Sequence, residues 1–444
     1  MEIADFDDQQ IKTFVNNWFR EKDELKAERL LKRLKDNEPV KELAKSPLLL
    51  TLLCLVFGER NDFPPKRSEL YKEGLEVLMK KWDAKRNIER EQIYKHLSPQ
   101  NKEDMLGQIA FNTFVNGEYF FRQEDLQRQI KDYICNLPEA SADPEALRLD
   151  SEVVLKAIEH HHGLLVERAR NIYSFSHLTF QEYFTAREIE RERQLETLML
   201  HIKEPRWKEV FLLVAEMLRR SDDFLQSMKY YIDGMLVGNE KLQEFLLWAK
   251  QKTDLVKTKY KDAAVRAYYA YVGCYALNLD LALDIDIGID NAIDLDLDST
   301  PDLDIDIAYD IAHKINLDND RDFTLDLDRA LAMGDDVLRQ ALQAFKDKLS
   351  TNREEFYQWW ENNGEQWKRE LSQVRFNRRN IGHDWQFTDD DEQVKLLEKY
   401  YEANRLLVQC MNRSYVSKQV RDEIEATLLL PVDKEKVEKK EGKL

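Results

Sequence analysis

Glycine and proline are scarce in this chain, 13 and 10 of 444 residues. So few breakers, with apolar residues recurring at helical spacing over long stretches, predict a mainly α protein. Cysteine is scarcer still: Cys54, Cys135, Cys274 and Cys410 stand far apart. That excludes a disulfide framework and reads as reduced, buried thiols in a cytoplasmic protein. The longest apolar run, Pro47 to Phe57, is interrupted only by Thr51, and it falls short of the ~20 residues a spanning helix needs. The opening MEIADFDDQQ has neither the basic nor the apolar region of a signal peptide. No membrane partner is expected.

The chain also contains no G-x-x-x-x-G-K-[ST], the loop whose backbone N–H groups and lysine cradle phosphates. Gly234 and Gly238 have the wrong spacing and no following Lys-Ser/Thr, and the only Gly-Lys begins at Gly442. No apolar strand ends in paired acids that would hold magnesium near such a loop. Ser174, Ser176 and His177 lack a nucleophile elbow and a carboxylate placed to orient the histidine. His160, His161 and His162 are consecutive, so they cannot all face one ion from a helix, and no cysteine or carboxylate spacing completes a zinc set. Asp284-Ile-Asp286-Ile-Gly288 departs from the calcium-loop pattern at its fifth position. No catalytic residue and no metal ligand is expected, and the chain as it stands is not expected to be an enzyme.

What is present is unevenly distributed. Sixteen aspartates and no glutamate lie between Asp280 and Asp328, with one lysine and one arginine, so −14 of the formal charge of −18 belongs to one segment. Basic residues form no stripe; the short run Arg375-Phe-Asn-Arg-Arg379 reads as a solvated helix end, so nucleic acid is not expected as a partner. Within 277–328, leucine and isoleucine alternate with aspartate, a strand pattern. Yet Asp286, Asp290, Asp294, Asp298, Asp302, Asp306 and Asp310 also form a four-spaced helical row. Aspartate's poor fit to strands favours the helix, and like charges along that row weaken it.

Elsewhere the helices are easier to place. Residues 8–36 read as charged amphipathic helices around Ile11, Phe14, Val15, Trp18 and Phe19. Ser46-Pro47 followed by LLLTLLCLVF gives an N-cap, a first-turn proline and a helix apolar nearly all round, hence buried in a bundle. After Pro64-Pro65 a helix is expected from Ser68 to about Lys85. Further helices are expected around Ile93–His96, Lys102–Phe114, Arg122–Tyr133 and over 151–162. Two extended pieces, Gly163-LLVERA and Asn171-IYSFSH, joined at a tight Arg-Asn turn, then predict a winged-helix hairpin. A helix from about Thr179 carries Phe180, Tyr183, Phe184 and Ala186 on its packing side, and helices recur to about residue 275. Trp359, Trp360, Trp367 and Trp385 read as core, with a sensor surface as the sharper alternative.

Three stretches, Ser46-PLLLTLLCLVF, Phe63-Pro64…Arg67-Ser-Glu-Leu-Tyr71…Trp82-Asp83, and Tyr173-SFSHLTFQEYFTA, together resemble the NACHT-family STAND NTPases of bacterial and cyanobacterial type. The end of the chain, Leu397–Pro431, resembles helical sensor domains that follow such NACHT cores. The resemblance implies a mainly α fold with one small β-hairpin. A helical domain adjoining the nucleotide core would occupy 1–85, a winged-helix domain 86–190, and a second helical domain 191–275. A carboxy-terminal helical sensor-like domain holding the Asp-rich segment 280–328 would occupy 276–431, with a disordered tail at 432–444. The core with its P-loop would itself be absent.

By the same resemblance Pro47 packs near adenine and His177 touches the β-phosphate of ADP in the off state. Read without the resemblance, His177 is a core histidine beside aromatics and Pro47 a helix-start proline. The implied function is the regulatory and sensor part of a NACHT-type signal-transduction NTPase, in antiphage defence or stress signalling. It would bind ATP or ADP only if a P-loop core is supplied, and its expected partners are a separately encoded NACHT core or further copies of itself. The alternative is a stand-alone helical interaction scaffold or truncated gene product with no nucleotide role.

Overall fold

A computed structural model describes residues 6–20, 24–35, 38–64, 66–85, 97–137, 143–159, 163–255, 261–263, 265–267, 270 and 392–432. The expected helix at Ile93–His96, the histidine triplet 160–162, Cys274, the segment 277–328, the tryptophan block, Arg375–Arg379 and the tail from 433 lie outside those residues. The chain divides into two compact units, residues 1–224 with 410–415, and residues 225–409 with 416–444.

The first unit opens with four packed helices: α1 (Asp8–Phe19), α2 (Glu24–Lys35), α3 (Glu38–Ala44) and α4 (Pro47–Arg60). A reciprocal capping box starts α1, with the Gln10 N–H donating to Asp7 at 2.7 Å and the Asp7 N–H donating to Gln10 at 2.9 Å. Ile11, Val15 and Phe19, one helical row, are buried, while Phe14 and Trp18 stack half-buried beside them. In α4, Leu50, Leu52, Leu53, Cys54, Val56 and Phe57 are buried on every side of the helix, as its composition predicts. Ser46 has the extended N-cap backbone, but its side chain makes no cap hydrogen bond. Helix α4 ends where Asn61 takes the left-handed conformation at φ 58° and donates its N–H to the Phe57 carbonyl.

Next comes α5 (Arg67–Lys85), which packs on α4. Gly74 lies at this crossing: a Cβ there would sit 2.8 Å from Leu52 Cδ2 and 3.2 Å from Leu52 Cβ, so a larger residue would force Leu52 to give way.

The winged helix follows as α6 (Pro99–Val115), β1 (Phe121–Arg122), α7 (Gln123–Ile134), α8 (Pro144–Ala157), β2 (Leu165–Ala169), β3 (Ile172–Phe175) and α9 (Leu178–Glu192). The strands form an antiparallel sheet in the order β1-β3-β2, with Leu165 opposite Phe175 and Phe121 opposite Tyr173. Arg170-Asn171 makes the hairpin turn, Asn171 supplying the positive φ of 59°. Strand β1, two residues long, has no periodicity to read and exists because β3 offers it an edge. Helix α8 begins seven residues before the expected 151, because Asp143 caps the Glu145 N–H at 3.1 Å and Pro144 fits the first turn. The fold class is as expected, mainly α with one small sheet.

Helix α9 is the axis of this unit, packing on α6 on one side and on α11 (Lys208–Met217) on another. Phe180, Tyr183, Phe184 and Ala186 are all buried, as their spacing predicts. Arg187 ties α9 to α6 by pairing with Glu103 at 3.0 Å and Asp104 at 2.8 Å. Between α9 and α11 lie α10 (Leu195–Met199) and a 3₁₀ turn (Pro205–Trp207). There Arg206 donates to the Phe114 and Val115 carbonyls and so closes the C-terminus of α6. Trp207 is fully buried, edge-on to Phe114 and stacked with His201 at 4.1 Å.

The second unit contains most of α12 (Asp222–Gly234), α13 (Glu240–Leu255), helical residues 262–263, 265–267 and 270, most of α14 (Glu392–Arg413) and α15 (Lys418–Thr427). Its core includes Phe245, Leu246, Tyr400 and Leu407. Buried Arg266 donates to the Leu428, Glu425 and Ala426 carbonyls at 2.7, 3.2 and 3.3 Å, capping the end of α15. Gly238, with φ 83°, sits in the turn between α12 and α13. Cys54 and Cys410 are buried, burial pushing the Cys54 thiol up to about 12, but Cys135 is exposed, contrary to the expectation of buried thiols. It stands at the C-cap of α7, where one face of the helix end is solvated. Among the described residues no helix is long and apolar enough to cross a membrane.

Candidate functional site

Pro47 occupies the first turn of α4, where its missing N–H leaves no intrahelical bond unmade. It is half-buried, and its carbonyl accepts from the Thr51 hydroxyl at 2.9 Å. His177 stands at the other end of the first unit's chemistry, as N-cap of α9, with φ −145° and ψ 144°. The described packing does not bring the two residues together: α4 lies against α1–α3 and α5, whereas α9 lies against α6, α10, α11 and β3.

His177 is exposed, which corrects the core reading the sequence gives it in isolation. Two features of the hairpin shape its surroundings. The tight turn at Arg170-Asn171 folds β2 back along β3, so that Arg168 donates to the Ser174 hydroxyl at 2.9 Å and to the Ser176 carbonyl at 2.8 Å. The strand then breaks into α9, and the His177 ring turns on its own helix: Nδ1 accepts the Thr179 N–H at 3.2 Å and lies in short contact with the Thr179 hydroxyl. An accepting Nδ1 assigns the proton of the neutral ring to Nε2. Nε2 makes no described hydrogen bond and is left as a donor at the exposed start of a helix, where backbone N–H groups and the dipole favour an anion.

Partial burial, with the Arg168 guanidinium adding to it, holds the His177 imidazole below its ordinary value of 6.5. The ring is therefore neutral at pH 7. Its contribution to stability is present above the unfolded pKa and is lost as pH falls through the folded one. In an NMR titration the His177 ring is expected to titrate below 6.5, and Arg168→Gln should raise that value. A wild-type midpoint above 6.5 would contradict this electrostatic picture. Arg168 and Thr179 were not singled out from sequence; the turn that folds Arg168 back was legible, but its hydrogen bonds to β3 and to Ser176 were not.

A second polar cluster lies deeper, where α5, α9 and α11 meet. Arg67 pairs with Glu209 at 3.0 Å, and the Tyr71 and Tyr183 rings lie 5.5 Å apart. Glu182 shares this environment; burial first, and then the Glu209 charge, push its carboxyl up to about 7, while Arg67 opposes them. The Tyr71 hydroxyl and Arg67 Nε are buried there without a hydrogen-bond partner. Among the described residues no cluster of three or more His, Cys, Asp or Glu is placed to hold a metal ion.

Comparison with known families gives two matches. Residues 67–189 match the winged helix-turn-helix domain C-terminal to NACHT, and residues 338–431 match NACHT C-terminal helical domain 2. No curated protein matches the chain. The first match covers α5 through most of α9, including β1–β3 and His177, and the second ends with α14 and α15. The two matched modules, in this order, support reading the chain as a NACHT-family carboxy-terminal portion.

Proposed function

We propose that this chain is the regulatory and sensor portion of a NACHT-type signal-transduction switch, not a nucleotide hydrolase in its own right. The observation that carries the reading is His177: an exposed imidazole with Nε2 as donor, held by Thr179 at the N-terminus of α9 inside the matched winged helix. Such a donor suits the β-phosphate of ADP, and Pro47 suits the edge of the adenine. Each residue would need a P-loop core, supplied by another chain, to complete the pocket. ADP bound across that core and this chain would favour a closed arrangement, and loss of the His177 contact would release it, a ligand-biased two-state element. Cytoplasmic signalling in defence or stress is the setting this reading implies, with the core or further copies of the chain as partners.

The test is a pull-down of the full chain with a separately expressed NACHT core. Capture is expected with ADP and magnesium, and His177→Ala should weaken it about tenfold or more, the value of one charge-assisted hydrogen bond. Absence of any complex with ADP present would defeat the in-trans version. Unchanged melting of chain plus core with millimolar ATP or ADP would leave a scaffold role in its place.

A further inference from the structure

The first unit contains a cavity of about 360 Å3 that the nucleotide reading does not use. It is formed where α3, α4 and the 61–66 connection meet the start of α5, Glu216 of α11 and Arg413. Six lining side chains are apolar: Val40, Leu43, Leu53, Phe63, Pro64 and Leu70. The other four are three cations, Lys66, Arg67 and Arg413, and one carboxylate, Glu216. The volume falls in the range of small-molecule sites, which combine apolar walls with a few convergent polar groups.

The cations retain unused donors. Lys66 Nζ donates to the Glu216 main-chain carbonyl at 2.8 Å, which occupies one of its three hydrogens. Arg67 uses Nη1 on Glu209 at 3.0 and 3.3 Å, but its Nε is buried with no acceptor. Arg413 Nη1 lies 3.9 Å from the nearer Glu216 oxygen, an ion pair too long for a hydrogen bond. Glu216 is buried, and its other oxygen already accepts the Ser68 N–H at 2.9 Å. The lining is thus net cationic, with donors of Lys66 and Arg413 left over after their contacts to Glu216.

We propose that this cavity binds a small amphipathic carboxylate, its aliphatic or aryl body against the six apolar side chains and its carboxylate accepting from Arg413, Lys66 and the accessible part of the Arg67 guanidinium. A cation would meet three like charges, and a neutral alcohol would leave the arginine donors without an anion. The ligand would fasten the 61–66 connection to Glu216 and Arg413, so occupancy would stiffen the joint between the amino-terminal helices and the rest of the unit. The inference stands apart from the nucleotide reading, since it requires no P-loop core.

The full chain is titrated with octanoate, octylamine and 1-octanol, following melting temperature and calorimetric heat. Octanoate is expected to raise Tm and bind with Kd below about 1 mM, octanol to do so less, and octylamine not at all. Hydrogen exchange in residues 61–70 should slow with octanoate. Arg413→Gln should weaken octanoate about tenfold, and Lys66→Gln supplies the same reading if that variant does not fold. No Tm shift and no heat at ~10 mM octanoate, or equal stabilisation by all three compounds, would overturn the proposal. Protection elsewhere but not in 61–70 would overturn the location.

Discussion

Trp207→Ala is expected to destabilise the first unit by about 3–5 kcal/mol, the range for removing a fully buried large aromatic. The indole fills the angle between α6 and α11, edge-on to Phe114 at 4.8 Å and face-to-face with His201 at 4.1 Å. Alanine would leave a cavity that neither ring can enter, because His201 is held by Glu204 at 2.7 Å and Phe114 belongs to the last turn of α6. The Arg206 guanidinium, 5.3 Å from the Phe114 and Trp207 rings, would lose one of the surfaces it lies on while capping α6. Trp207→Phe should recover much of the loss, since the indole Nε1 is buried without a hydrogen-bond partner and its removal costs no bond. Urea unfolding followed by hydrogen exchange in α6 and α11 measures the effect. A loss for Trp207→Ala below about 1 kcal/mol would show that the site repacks.

Glu182→Gln has the opposite sign: it is expected to stabilise the protein at pH 8. The carboxyl of Glu182 is pushed up to about 7 from an ordinary 4.5. A raised acid pKa means that the folded state prefers the neutral form. Stability from this group is therefore present below about 4.5, is lost as pH rises to about 7, and stays lost above that. At ~1.36 kcal/mol per pH unit the displacement sets a ceiling of about 3 kcal/mol, and residual solvent contact lowers it. Glutamine keeps the shape without the charge. The variant and the wild type should unfold alike near pH 4.5 and diverge between 5 and 8, with the variant the more stable. Arg67 keeps Glu209 as its partner in either case. A variant equally destabilised at both pH values would mean that the carboxylate is favourably paired and that the inferred cost of its charge is wrong.

Much of the fold was legible because it is written in local period. The row Ile11, Val15, Phe19, the apolar α4 and the aromatic face of α9 each declare a helix and its buried side within one or two turns of sequence. The hairpin was legible from two short extended pieces around an Asn that tolerates positive φ. His177 could be named from its surrounding stretch, but its exposure could not. A histidine next to phenylalanines reads as core until the strand-to-helix break at Ser176 and its own N-cap geometry carry it out to solvent.

By itself the sequence determined the helical class, the hairpin, the chain's lack of a phosphate loop and the position of the candidate histidine. All of these depend on residues within a few positions of one another. Only the tertiary structure decided which polar groups share an environment. Arg67 meets Glu209 across 142 residues of sequence, Lys66 meets the Glu216 carbonyl across 150, and Gln181 of α9 reaches Thr113 across 68. No local period encodes such pairs, because each depends on how whole helices cross. Burial then fixes what they do: a glutamate whose proton is held to about pH 7, and cationic side chains gathered along one wall of a cavity.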